Sequence, residues 1–116
     1  MSAATRLMAE VIKEFREVHP DITSTAMLAF LYVAENEGTA QVDVARSLNV
    51  TKSAITRIID LMTKRGRGKV EGLDLISQQE DPTNRTLRTL HLTQKGKGLV
   101  KKINNSVKRT ATKGAL

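Results

Sequence analysis

The sequence contains no cysteine and no tryptophan, and its aromatic content is only 3%. Without cysteine the chain can form neither disulfides nor thiolate zinc sites, and it has no thiol nucleophile. With so few aromatic side chains, recognition of single-stranded nucleic acid by base stacking is poorly supported. Duplex nucleic acid stays open as a partner.

Long apolar runs are also absent, and the N-terminus lacks the basic start and apolar stretch of a signal peptide. We therefore expect a cytoplasmic protein with no membrane partner. A length of 116 residues suffices for one hydrophobic core but not for two. We expect a single domain over 1–116.

Catalytic residue types are scarce as well. His19 lies beside a proline and His91 on a predicted strand, so structural roles are favoured over catalysis or metal binding. Asp81 and Asn84 suit a turn better than an acid–base pair. We expect no enzyme, no cofactor and no metal site.

The net charge of +7 is unevenly distributed along the chain. Residues 1–50 hold four Lys or Arg against seven Asp or Glu (−3), and residues 51–116 hold fifteen against five (+10). Such a footprint favours a polyanionic partner through counterion release. An acidic membrane surface or plain solubility is the alternative.

Residues 39–66 have the pattern of a helix-turn-helix, with the turn at Leu48 to Val50 and Asn49 suited to a left-handed conformation. In the second helix Thr51 can cap the N-terminus, and apolar residues recur at i, i+3, i+4 and i+7. These are Ile55, Ile58, Ile59 and Met62. The other side interleaves hydroxyls with cations, which suits a DNA major groove, although an ordinary solvated face is the alternative. We predict DNA contacts by Thr51, Lys52, Ser53, Thr56, Arg57 and Lys64.

The flanking segments predict a mainly α fold with a small β-hairpin (α+β). Two helices occupy 3–38, the first with a wide apolar stripe and the second nearly all apolar after capping Thr23. A glycine-containing loop at 67–74 precedes a hairpin, with strands at 73–78 and 86–92, within the segment 67–92. Thr93 caps a last helix, over 93–116, which is rich in lysine and has no acidic residue.

Two quoted stretches resemble the winged helix-turn-helix regulators of the MarR family. One runs from Gln41 through TKSAITRIID (51–60) to Arg65-Gly66, and the other is DPTNRTLRTLHLTQKG (81–96). The chain departs from the family at Ala40, where a capping Ser or Thr is usual, and in the insertion at 67–74. The resemblance implies a recognition helix in the major groove and a wing in the minor groove, with wing residues Asp81, Asn84, Arg85 and Arg88.

The resemblance also implies a homodimer built from the first and last helices. We assign the dimer surface to Leu7, Val11, Phe15, Val100, Ile103 and Val107. The alternative is that both apolar stripes close the core of one chain. The expected function is a sequence-specific regulator of transcription that binds double-stranded DNA. The resemblance favours a repressor, because most members of the family repress transcription. A protein-binding winged helix and a nonspecific DNA-coating protein are the alternatives, and no small-molecule effector is identified.

Overall fold

The computed structural model describes residues 2–68 and 70–112, and this part of the chain forms five α-helices and one three-stranded sheet. The predicted α+β class and winged-helix order are confirmed. The elements are α1 (Ala3–Val18), α2 (Ser24–Glu35), β1 (Thr39–Ala40), α3 (Gln41–Leu48), α4 (Lys52–Met62), β2 (Ile76–Asp81), β3 (Asn84–Leu92) and α5 (Gln94–Thr112).

Side-chain hydroxyls define where most of these helices begin. Each accepts a hydrogen bond from the backbone N–H three residues later, which satisfies one of the donors left free in a first helical turn. The predicted caps Thr23, Thr51 and Thr93 bind in this way at 3.0 to 3.1 Å. Helix α3 is the exception, because Ala40 offers no capping side chain.

The core is built around α2, whose sequence is nearly all apolar. Phe30 is fully buried and meets Phe15 of α1 edge-to-face, with ring centroids 5.7 Å apart. The buried stripe of α4 packs into the same cluster, together with residues from β2, β3 and α5. From these elements it includes Ile55, Ile59, Met62, Ile76, Leu90 and Leu99.

The sheet has the order β1-β3-β2 and is antiparallel throughout. The first predicted strand, 73–78, is wrongly bounded, because β2 begins at Ile76 and continues to Asp81. Leu73 and Leu75 are not in the sheet, since their N–H groups bind carbonyls at the end of α4. The polar residues 79–81, which lie outside the two predicted strands, pair with β3.

Helix α4 ends at Met62, so the placement of Lys64 on this helix is wrong. Thr63 already has an extended backbone, with φ −81° and ψ 163°. The free carbonyls of Leu61 and Met62 are taken by the N–H groups of Leu73 (2.9 Å) and Leu75 (2.8 Å). This returning segment stops the helix and leaves Lys64 exposed in the following loop.

Helices α1 and α5 pack against each other within one chain. Phe15 was predicted to form a dimer surface, but this is wrong because only 1% of it is exposed and it belongs to the chain's own core.

The helix pair also buries polar groups: the Ser106 hydroxyl lies 3.4 Å from the Glu14 carboxylate and accepts from Arg109 at 3.0 Å.

Candidate nucleic-acid interface

The turn between α3 and α4 has the predicted left-handed residue. Asn49 adopts φ 55° and ψ 47°, and its N–H binds the carbonyl of Arg46 at 3.2 Å. The next N–H, of Val50, binds the carbonyl of Ala45 at 3.0 Å. Consecutive bonds of this kind close α3 and reverse the chain sharply. Helix α4 therefore begins on the protein surface with its first turn exposed.

Two cations project from the outer face of α4. Lys52 and Arg57 are exposed and form no ion pair within residues 2–68 and 70–112. Ser53 is exposed between them, and its hydroxyl lies 3.3 Å from that of the capping Thr51. Because no carboxylate in the described part of the chain neutralises either charge, this face can attract a polyanion.

Thr56 differs from the other hydroxyl residues on α4, because it is half-buried and bonded on two sides. Its hydroxyl donates to the carbonyl of Lys52 at 2.8 Å and accepts from the amide of Gln41 at 3.4 Å. Gln41 in turn accepts from the amide of Gln78 on β2 at 2.5 Å. This chain of bonds joins the wing to α4 through α3. Sequence patterns gave no sign of Gln78, since its partner lies 37 residues away.

Two side-chain-supported turns form the wing tip. Asp81 accepts hydrogen bonds from the backbone N–H (2.8 Å) and hydroxyl (2.7 Å) of Thr83, and Asn84 accepts the equivalent pair from Thr86. The bonds from the Thr83 side chain and backbone lower the pKa of Asp81 below its ordinary value. No ion pair joins Asp81 to Arg85 in the described chain.

The two arginines of the wing differ in what they contact. The strand register shifts next to Glu80, so that residues 85–87 of β3 have no partner on β2. Arg85 lies in this irregular stretch, and its side chain is exposed. Arg88 faces Glu80 across the hairpin, with 3.5 Å between Nη1 and the carboxylate, and also donates to the Arg85 carbonyl. Arg85 therefore presents the less engaged guanidinium.

A cleft of about 580 Å³ separates the helix-turn-helix from the wing. Its apolar walls come from both sides, with Val42 on α3 and Leu87 on β3. Cationic side chains of three elements border it, and these are Arg46, Lys52 and Arg88. Lys52 also borders a second depression on the outer face of α4, so the two concave surfaces adjoin.

That second depression includes a residue that the sequence did not indicate as functional. Arg67 lies next to the outer face of α4, and its Nη1 donates to the carboxylate of Asp60 at 3.1 Å. Its position follows from the fold of the inserted segment rather than from any local pattern.

No helix in residues 2–68 and 70–112 is long and apolar enough to span a membrane.

A helix-turn-helix followed by a β-hairpin wing, with helices before and after, defines a winged-helix protein. No family model matches the sequence, and no curated protein is significantly similar to it. Solved structures, in contrast, match over nearly the whole chain. A MarR-like transcriptional regulator from Thermotoga maritima is 27% identical with a TM-score of 0.67, over 92% of this chain and 74% of the other.

Two further structures extend the comparison. Rv1404 from Mycobacterium tuberculosis has a TM-score of 0.77 and 21% identity, over 96% of this chain and 70% of its own. MepR from S. aureus, solved in complex with DNA, has a TM-score of 0.75 and 16% identity, over 96% and 83%. The resemblance to the MarR family is confirmed, and the chain has the fold of its winged-helix regulators.

Proposed function

We propose that this chain is a regulator of transcription that binds specific sequences in double-stranded DNA, acts in the cytoplasm and has no enzymatic activity. The observation that carries the proposal is the outer face of α4, where Lys52 and Arg57 project and no carboxylate of residues 2–68 and 70–112 pairs with them. The fold it shares with MepR, which was solved bound to DNA, supports the same conclusion.

In this proposal α4 enters the major groove. Arg57 and Ser53 have exposed polar groups suited to base edges or adjacent phosphates, and Lys52 is suited to phosphates. Lys64 lies beyond the helix and would contact the backbone from the loop. Thr51 caps α4, and the Thr56 hydroxyl donates within the protein, so these two contribute chiefly by shaping the face.

The wing would lie along the adjacent minor groove, with Arg85 as the inserted cation. A narrow minor groove concentrates negative potential and attracts a guanidinium. Asp81 and Asn84 support the tip through their bonds to Thr83 and Thr86, and Arg88 stiffens the hairpin opposite Glu80. The wing residues thus divide into one proposed DNA contact and three that shape the tip.

A homodimer completes the proposal, with the single winged-helix domain repeated about a two-fold axis. Helices α1 and α5 still leave apolar surface exposed after packing together, including Met8 (58%) and Ile12 (38%). Adjacent side chains predicted for this surface are half-buried, namely Leu7, Val11, Val100, Ile103 and Val107. Paired recognition helices about 34 Å apart would face successive major grooves. Occlusion of a promoter by such a dimer would make it a repressor.

Selection of bound sequences from a random duplex pool tests the proposal. The selected site should bind much more tightly than random duplex, and Arg57→Ala should weaken that site by about 1 to 3 kcal/mol if Arg57 pairs with a guanine. Arg6→Ala, which removes an exposed cation of α1, is the matched control and should bind normally. Equal affinity for selected and random duplex would indicate nonspecific coating, and no duplex binding would reject the proposal.

A further inference from the structure

The inserted loop, residues 67–74, begins with a closed turn next to α4. Arg67 and Val70 exchange two backbone hydrogen bonds, of 3.1 and 2.8 Å, and form an isolated β-bridge. Gly66 and Gly68 adopt φ of +68° and +55°, the left-handed region that glycine occupies at little cost. These bonds and glycine conformations fix the backbone at Arg67 and thereby the direction in which its side chain projects.

Close backbone packing attaches the loop to the end of α4. A Cβ at Gly72 would lie 1.5 Å from the carbonyl oxygen of Thr63 and 2.6 Å from the nitrogen of Gly66. No side chain fits in that space, so the two backbone segments are in direct contact. The N–H of Leu73 also binds the Leu61 carbonyl at 2.9 Å. Arg67 is thereby held at a fixed distance from α4.

The side chain of Arg67 lies along the outer face of α4. Its Nη1 donates to Oδ2 of Asp60 at 3.1 Å, while about half of the side chain (51%) stays exposed. A guanidinium has five N–H donors, and no other hydrogen bond from this side chain occurs in the described chain. The depression of about 580 Å³ beside it is bordered by Thr51, Lys52, Ser53, Thr56 and Arg57. Among them are Lys52, Ser53 and Arg57, which are proposed to contact DNA, while Thr51 and Thr56 shape the same face.

We infer that Arg67 is a third DNA-contacting group, besides α4 and the wing, and that it binds a phosphate at the edge of the major groove. The inference rests on the proposed function. Asp60 would act as a positioning residue, since its carboxylate orients the guanidinium through one N–H and leaves the others for an anionic oxygen. A phosphate suits this position because Arg67 approaches from a loop beside the helix rather than from the helix face itself.

Fluorescence anisotropy with the parent, Arg67→Ala, Arg67→Lys and Lys13→Ala tests the assignment. Arg67→Ala should weaken the selected site and random duplex alike, by about tenfold, the weight of one charge-assisted hydrogen bond. The slope of log affinity against log salt should fall by about one unit. Arg67→Lys should keep the parent slope. Lys13→Ala removes an exposed ion pair of α1 and should change neither quantity.

Urea unfolding of each variant separates lost DNA contact from lost structure. Arg67→Ala should unfold within about 0.5 kcal/mol of the parent, because exposed ion pairs contribute little. Unchanged affinity and slope in Arg67→Ala, with a parent that binds duplex and an Arg57→Ala variant that binds the selected site more weakly, would overturn this inference alone. A loss confined to one base pair of the selected site would also overturn the phosphate assignment. A parent that binds no duplex would instead reject the proposed function.

Discussion

Two glycines in the first turns of α5 should respond in opposite ways to alanine. Glycine within a helix costs about 0.5 to 1 kcal/mol relative to alanine, so each substitution begins with the same intrinsic gain. At Gly98 an added Cβ meets no atom of the described residues within 4 Å. We therefore expect Gly98→Ala to stabilise the fold by about 0.5 to 1 kcal/mol.

At Gly96 the added Cβ would lie 2.2 Å from the carbonyl oxygen of Leu75. That oxygen cannot move away easily, because it accepts a hydrogen bond from the N–H of Thr93 (3.1 Å). The N–H of Leu75 is also held, since it donates to the carbonyl of Met62 (2.8 Å). Overpacking of this kind costs about 1 to 3 kcal/mol, and loss of the Thr93 bond adds about 1. These costs exceed the helical gain, so Gly96→Ala should destabilise the protein by about 1 to 3 kcal/mol.

Urea unfolding followed by circular dichroism measures both variants on the same scale. The two midpoints should lie on opposite sides of the parent midpoint, with an unchanged slope m. If Gly96→Ala proved as stable as Gly98→Ala, the start of α5 would not pack against Leu75. The proposed packing of the segment before β2 between the end of α4 and the start of α5 would then be wrong.

Two further predictions concern assembly and pH. Ile12→Asp places a charge on the exposed apolar stripe of α1 and should convert a dimer to a monomer in sedimentation at micromolar concentration. The control Leu28→Asp, at an exposed position of α2, should leave the dimer intact. A parent chain that sediments as a monomer would contradict the dimer. Thr83→Val removes the hydroxyl that lowers the pKa of Asp81, so that pKa should rise toward its ordinary value in a carboxyl NMR titration. Because the folded pKa is lowered, the support that Asp81 gives the wing tip is complete above the ordinary aspartate range and is lost as pH falls through the lowered value. An unchanged titration in Thr83→Val would refute that cause.

Features whose partners are close in sequence could be predicted. Thr23, Thr51 and Thr93 each cap a helix by bonding the N–H three residues later, and Asn49 closes α3 with partners equally near. The period of the apolar residues on α4 likewise identified its buried stripe. Local chemistry was sufficient in each case.

Element boundaries that depend on distant partners could not be predicted. Helix α4 ends where it does because Leu73 and Leu75 return to bond its last carbonyls. The same bonds delay the start of β2, and pairing with β3 then carries the strand through residues of low β-propensity. Lys64 was wrongly placed on α4 because no residue near it in the sequence indicates that Leu73 and Leu75 bond the end of the helix.

The residues of the candidate interface also fall into those that could be predicted from the sequence and those that could not. Lys52 and Arg57 could be identified from the polar side of an amphipathic helix. Arg67 could not, since it reaches that helix only because Gly66 and Gly72 let two backbone segments touch. The amide chain from Gln78 to Thr56 was also invisible, because it joins three elements that are adjacent only in the folded chain.

Strand β1 has only two residues, yet it couples two parts of the molecule mechanically. Thr39 and Ala40 pair with Leu90 and Thr89 at the base of β3, and the N–H of Gly38 binds the Leu90 carbonyl at 2.8 Å. Helix α3 follows with no residue between, so a rotation of that helix must turn the root of the hairpin with it. A small tilt at β1 would therefore move the base of the hairpin slightly and its tip further, so that α3 and the wing would reorient together.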